Sequence, residues 1–233
     1  MPFFYYWDPT YFLVLIGVVL CLGANALVNS SMSKYSRVRN SVGITGAEAA
    51  QRILSNEGLY NVQVECLRED SGDHYDPRSN TVRLSYRNYS EPSVTAVSVA
   101  AHECGHAIQH AKGYALLNIR SALVPVANIG SSLGFPIIIL GVFLSWNQVL
   151  IQIGIWAFAL AVLFQLVTLP VEFNASARAV AKLEQYGLVS HEENQGCKKV
   201  LTAAALTYVA AAASAILQLL RLMLLFGGRR RDD

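Results

Sequence analysis

Charge is what this sequence has least of. Asp, Glu, Lys and Arg make up 15% of its 233 residues while 53% are hydrophobic, a balance too apolar for an ordinary soluble domain of that length. The net charge of +2 has no basic stripe with interleaved aromatics behind it, which argues against a nucleic-acid partner. Cysteine pairs are also missing. Cys21, Cys66, Cys104 and Cys197 are scattered without a Cys-x-x-Cys motif, so they read as small packing residues in reduced surroundings. Between His110 and Glu172 there is no Asp, Glu or His at all. With no acidic group inside that apolar stretch, a small-molecule transporter is disfavoured.

The hydrophobic excess lies in blocks. Residues 11–28 are apolar and uncharged over the length of a spanning helix, and Phe3, Phe4, Tyr5, Tyr6 and Trp7 before them suit a membrane interface. No Lys or Arg precedes this run and it is long for a signal-peptide core, which favours a retained anchor. Lys34, Arg37 and Arg39 follow it, so the positive-inside rule puts the amino terminus outside and the next domain in the cytoplasm. Residues 123–146 and 149–169 read as a membrane hairpin turning at Trp146-Asn147-Gln148, with Gly130, Gly134, Pro136 and Gly141 permitting tight packing or a kink. Residues 202–226 are apolar and Ala-rich but contain Gln218 and Arg221. Basic residues flank both ends, Lys198 and Lys199 before and Arg229 to Arg231 after, so charge does not orient the segment. It is expected to be a fourth span, the alternative being a helix packed on the domain below with its last turns along the membrane surface.

Between the first two blocks, Thr45 with Glu48 three residues later forms a capping box that opens a short amphipathic helix, ended by Gly58. Residues 61–67 and 81–85 alternate polar and apolar as strands do, and residues 73–80 form a turn-rich connector. Residues 81–85 are expected to be the sheet edge along which an extended peptide could add, or else part of an ordinary hairpin. Residues 187–199 read as a polar loop.

The chemistry is concentrated in one helix, residues 93–110. At about 3.6 residues per turn, His102 and His106 lie one above the other and can offer imidazole nitrogens to one metal. Glu103 falls on their flank, where its carboxylate can take a proton from water activated by the metal and pass it to a leaving amine. Val94, Val97, Ala101, Gly105 and Ile108 make a buried face, and Gly105 permits a neighbouring element to come close. Cys104 is turned away from the histidines. A third histidine of metzincin type is excluded, because Lys112 occupies the position it would need and His110 falls two residues short. The next acidic residue, Glu172, is the leading third ligand, and a His-His-Glu set keeps a catalytic site open to water. The alternative is a carboxylate that caps or ion-pairs a helix start after Pro170. His74 and Arg178 are candidate donors to the tetrahedral oxygen of a peptide under attack, with a turn-fixing role for His74 and a partnership with a nearby acidic group for Arg178 as the alternatives.

The runs His102-Glu103-Cys104-Gly105-His106-Ala107-Ile108-Gln109-His110, Leu169-Pro170-Val171-Glu172-Phe173-Asn174-Ala175-Ser176 and Asp73-His74-Tyr75-Asp76-Pro77 resemble the YugP-type neutral zinc metallopeptidases of bacterial membranes, over almost the whole chain. The layout is more distantly similar to the HtpX heat-shock protease and the CAAX prenyl endopeptidases. The resemblance implies a membrane peptidase with Zn2+ as cofactor and supports Glu172 as ligand. It departs at Ser176, which stands where those relatives carry Asp, so Ser176 or Asn174 is expected to orient a ligand instead.

The expected molecule is a mainly α integral membrane protein with about four apolar helices and a small zincin-like domain containing a short β-sheet. Its parts are an anchor (1–30), the first section of the peptidase domain (31–122), a transmembrane hairpin (123–169), a third-ligand helix and loop (170–200) and a carboxy-terminal apolar helix with a basic tail (201–233). It is expected to be a multi-pass cell-membrane endopeptidase working on the cytoplasmic side. Its partners are the bilayer and a protein or peptide substrate. The competing function is a zinc-binding scaffold without turnover, which the intact Glu103 disfavours.

Overall fold

A computed structural model describes residues 8–67 and 72–226. The aromatic run before Asp8 and the basic run 229–231 lie outside the described residues. In order come α1 (Tyr11–Ser36), α2 (Gly46–Asn56), β1 (Gln63–Cys66), β2 (His74–Asp76), β3 (Thr81–Leu84), α3 (Tyr86–Ser90), α4 (Val94–Ala111), α5 (Ala115–Phe143), α6 (Gln148–Gln185) and α7 (His191–Phe226). The molecule is a mainly α membrane protein, and α1, α5, α6 and α7 are long and apolar enough to cross a bilayer.

The chain forms two compact units: Met1–Ala24, Ile119–Leu169 and Thr207–Asp233 make up the first, Asn25–Asn118 and Pro170–Leu206 the second. The regular structure of the first, among the described residues, is helical. Its α5 and α6 sections pack as an antiparallel hairpin, and a Cβ on Gly130 would fall 2.2 Å from the Ala157 carbonyl oxygen, so only glycine fits there. The turn closes on Asn147, whose side-chain oxygen accepts from the Val149 and Leu150 amides. Leu15, Val19, Ile129, Phe143, Val149 and Trp156 are exposed, an apolar surface of the kind that meets lipid. Arg221, which the sequence places inside an apolar run, pairs with Asp8 at 3.4 Å, donates to Thr10 at 3.2 Å and lies over the Tyr11 ring at 4.2 Å.

The second unit is built around α4. Ser93 caps it by accepting from the Ala96 amide at 3.1 Å, and all but His102, His110 and Ala111 of its residues are buried. Burial therefore runs almost all the way round rather than along one face. Leu84, Val97 and Ile108 are fully buried or nearly so, each contributing roughly 1.5–3 kcal/mol. The predicted capping box at the start of α2 forms through Thr45 and Glu48, and α2 lies against α4, where Cys104 Sγ faces the Ala50 carbonyl.

Three expectations need correction. The sheet order is β1-β3-β2, with β1 parallel and β2 antiparallel to β3. Residues 81–84 thus form the buried central strand, and the edges are β1 and β2. The supposed connector supplies a strand because His74-Tyr75-Asp76 alternates about Tyr75 and turns back on β3 through residues 77–80, with Asn80 at φ 51°. α6 runs through Pro170, so Glu172 stands within that helix and not at its start. Residues 191–199 are helical rather than loop, because Ser190 and Glu193 form a second capping box at the head of α7.

Candidate metal centre

Two backbones meet at the site. A Cβ on Gly105 would fall 2.6 Å from the Ala175 carbonyl oxygen, so the glycine lets α4 touch α6 and brings residues far apart in sequence within side-chain reach. His102, His106 and Glu172 then place one donor atom each within 4.8 Å of the others. Glu172 Oε2 stands 3.2 Å from His102 Nε2 and 3.6 Å from His106 Nε2. The carboxylate is 1% exposed, the imidazole rings meet edge to face at 4.8 Å, and the group is the metal-capable cluster among the described residues.

The surrounding hydrogen bonds determine which imidazole nitrogen is available. Arg178 can only donate, and its Nε gives a proton to Asn174 Oδ1 at 2.7 Å. That oxygen also accepts from Gln109 Nε2 at 3.0 Å, and the same Gln109 nitrogen donates to the Val171 carbonyl at 2.8 Å. The amide is thereby fixed with its oxygen toward His106, 3.0 Å from Nδ1. His106 must carry its proton on Nδ1, leaving the Nε2 lone pair directed at Glu172. Ser176 Oγ lies 3.2 Å from His102 Nδ1 and can play the same part there. The sequence pointed to Ser176 or Asn174 beside the ligands and gave no place to Gln109. Its position three residues after His106, one helical turn on, was the available signal.

Two imidazole nitrogens and one carboxylate oxygen are a donor set that zinc accepts, and three protein ligands leave a fourth position open. Burial lowers the His106 pKa, but the Glu172 carboxylate, with Glu103 and Gln109 adding to it, outweighs that and holds it above its ordinary value. Glu103 is itself buried, next to the cluster, and its carboxylate makes no hydrogen bond among the described residues.

The other candidates lie elsewhere. His74, exposed on β2, has its Nδ1 2.6 Å from the Gly72 carbonyl. Tyr75 donates to Asn80 and meets His110 Nδ1 at 2.8 Å, which ties β2 to the end of α4. Arg178 is engaged with Asn174. His191 is exposed beside Glu184.

Residues 10–227 match the family described as "Putative neutral zinc metallopeptidase". The chain is also similar to "Putative membrane protease YugP" of Bacillus subtilis (strain 168), 48% identical over 199 residues that cover 85% of this chain and 88% of that protein. No solved structure matches. The chain, with a zinc-suited donor set on the helix where its sequence carries His-Glu-x-x-His, belongs to this family of membrane zinc metallopeptidases.

Proposed function

We propose that the protein is a multi-pass endopeptidase in which His102, His106 and Glu172 hold Zn2+ and Glu103 is the general base. The observation that carries this is the convergence of three donor atoms within 4.8 Å, with the Nδ1 of each histidine engaged by Gln109 or Ser176. When bound, zinc supplies Lewis acidity that polarises a carbonyl and lowers the pKa of water. The Glu103 carboxylate takes the proton of the attacking water and returns it to the departing amine nitrogen. Its burial strengthens that exchange by excluding bulk solvent. Arg178, through Asn174 and Gln109, acts as a positioning residue for His106 rather than a donor to substrate. His74 acts by fixing the turn into β2. An extended substrate adds along β2, whose outer side has no partner strand among the described residues and which Tyr75 ties to α4.

The four long helices support four crossings, and Lys34 in the last turn of α1 with Arg37 and Arg39 just after it support a site on the cytoplasmic side. In this reading residues 31–122 and 170–200 carry the chemistry, while 1–30, 123–169 and 201–233 anchor it.

The test compares detergent-purified wild type with Glu103→Gln and Glu172→Ala for zinc content and casein cleavage. Zinc retained with cleavage reduced by about 10²–10⁴ in Glu103→Gln, and zinc lost in Glu172→Ala, is the expected result. Zinc binding with undiminished cleavage in Glu103→Gln refutes the base. Zinc binding without cleavage of any protein by the wild type points instead to a scaffold.

A further inference from the structure

Away from the metal centre, the second unit contains a cavity of about 550 Å3 between α1 and α7, within the size range of small-ligand sites. Its polar lining includes Ser30, Ser31 and Lys34 from α1 with Lys198, Lys199 and Thr202 from α7, beside Tyr35 and Gln195. Leu27 and Leu206 continue the lining along the same helices. The helices close on each other beside it: a Cβ on Gly196 would fall 2.8 Å from Tyr35 Cε1.

We propose that this cavity binds the phosphate of an anionic glycerophospholipid, with the acyl chains running along Leu27 and Leu206. The first argument is charge. Three lysines line one cavity and none forms an ion pair with a carboxylate among the described residues. The acid nearest in sequence, Glu193, is occupied, accepting from the Ser41 amide and hydroxyl and from the Ser190 amide. The second argument is chemistry: three hydroxyls supply donors that suit phosphate oxygens. The third is position along the chain. Lys34 ends the apolar run of α1, and Lys198 and Lys199 precede the apolar run of α7, so the lysines fall where hydrocarbon gives way to headgroups. A basic pocket between apolar helices at that level recognises anionic lipid. The inference rests on membrane insertion but not on the peptidase reading.

The experiment uses the delipidated full chain, native mass spectrometry, and phosphatidylglycerol against phosphatidylcholine, with zinc content read on the same samples so that loss of the metal site is seen separately. The wild type is expected to retain phosphatidylglycerol preferentially. Each lysine replaced by glutamine should weaken that lipid roughly fivefold, and Lys34→Gln, Lys198→Gln and Lys199→Gln together by about a hundredfold. If the triple variant fails to fold, amine acylation of the wild type decides. Phosphatidylglycerol vesicles should protect Lys198 and Lys199, and phosphatidylcholine vesicles should not. Equal retention of the two lipids, or unchanged retention by a folded triple variant, overturns the proposal. Equal protection by millimolar inorganic phosphate alone also overturns it, as a site for free phosphate.

Discussion

Gln109→Leu separates shape from hydrogen bonding at the metal centre. Leucine nearly fills the volume of the fully buried glutamine but removes the acceptor for His106 Nδ1 and the donor to Val171 and Asn174. Asn174 keeps Arg178 as a partner, so the serious loss is one stranded imidazole N–H in buried surroundings, about 1–3 kcal/mol. The same figure follows from the usual loss on removing a group that orients a metal-bound histidine, roughly 10–100-fold in affinity. Zinc affinity, measured by competition with a chromophoric chelator, should therefore fall 10–100-fold in Gln109→Leu. In Asn174→Ala it should fall only a few-fold, because Gln109 retains its bond to Val171. If Gln109→Leu binds zinc within twofold of wild type and loses only thermal stability, the glutamine is a packing residue and the tautomer argument is wrong.

Gly105→Ala drives a methyl to 2.6 Å from a backbone oxygen that cannot swing aside. It should cost roughly 3 kcal/mol or more and lower both melting temperature and zinc content; a variant melting with wild type would refute the close contact. Glu57 is pushed up by burial, but hydrogen bonds from Lys182, Tyr186 and Lys112 hold its pKa at about 2. Because that lies below the ordinary 4.5, the stabilisation is complete above the unfolded-state value and is lost as pH falls from there toward 2. Glu57→Gln should cost about 1–3 kcal/mol at neutral pH and almost nothing near pH 2, and equal urea midpoints for the two proteins at pH 7 would exclude the effect.

The features most legible in the sequence were those set by short-range spacing. One turn separates His102 from His106, and Thr45 and Glu48 announce a helix start. The glycines of the α5–α6 hairpin sit where backbones touch. What was hidden depended on distant partners. A strand of three residues carries almost no pattern of its own, and its place beside β3 is fixed by pairing and by Tyr75 reaching α4. The head of α7 was legible in principle, since Ser190 and Glu193 have capping-box spacing, but its polar composition suggested a loop. Arg178 could be singled out but not given its task, because nothing local says that its partner is Asn174 and that the consequence is felt at His106.

The near-complete burial of α4 bears on what the cell must supply. In a zinc finger the ion is the core, and the chain without it is unfolded. Here the helix bearing the histidines is held by α2, the sheet and its backbone contact with α6 at Gly105, none of which involves a metal. The ion is thus a replaceable part. A chelator should empty the site and leave a folded protein that takes up added zinc again, so loss of the metal need not unfold the chain.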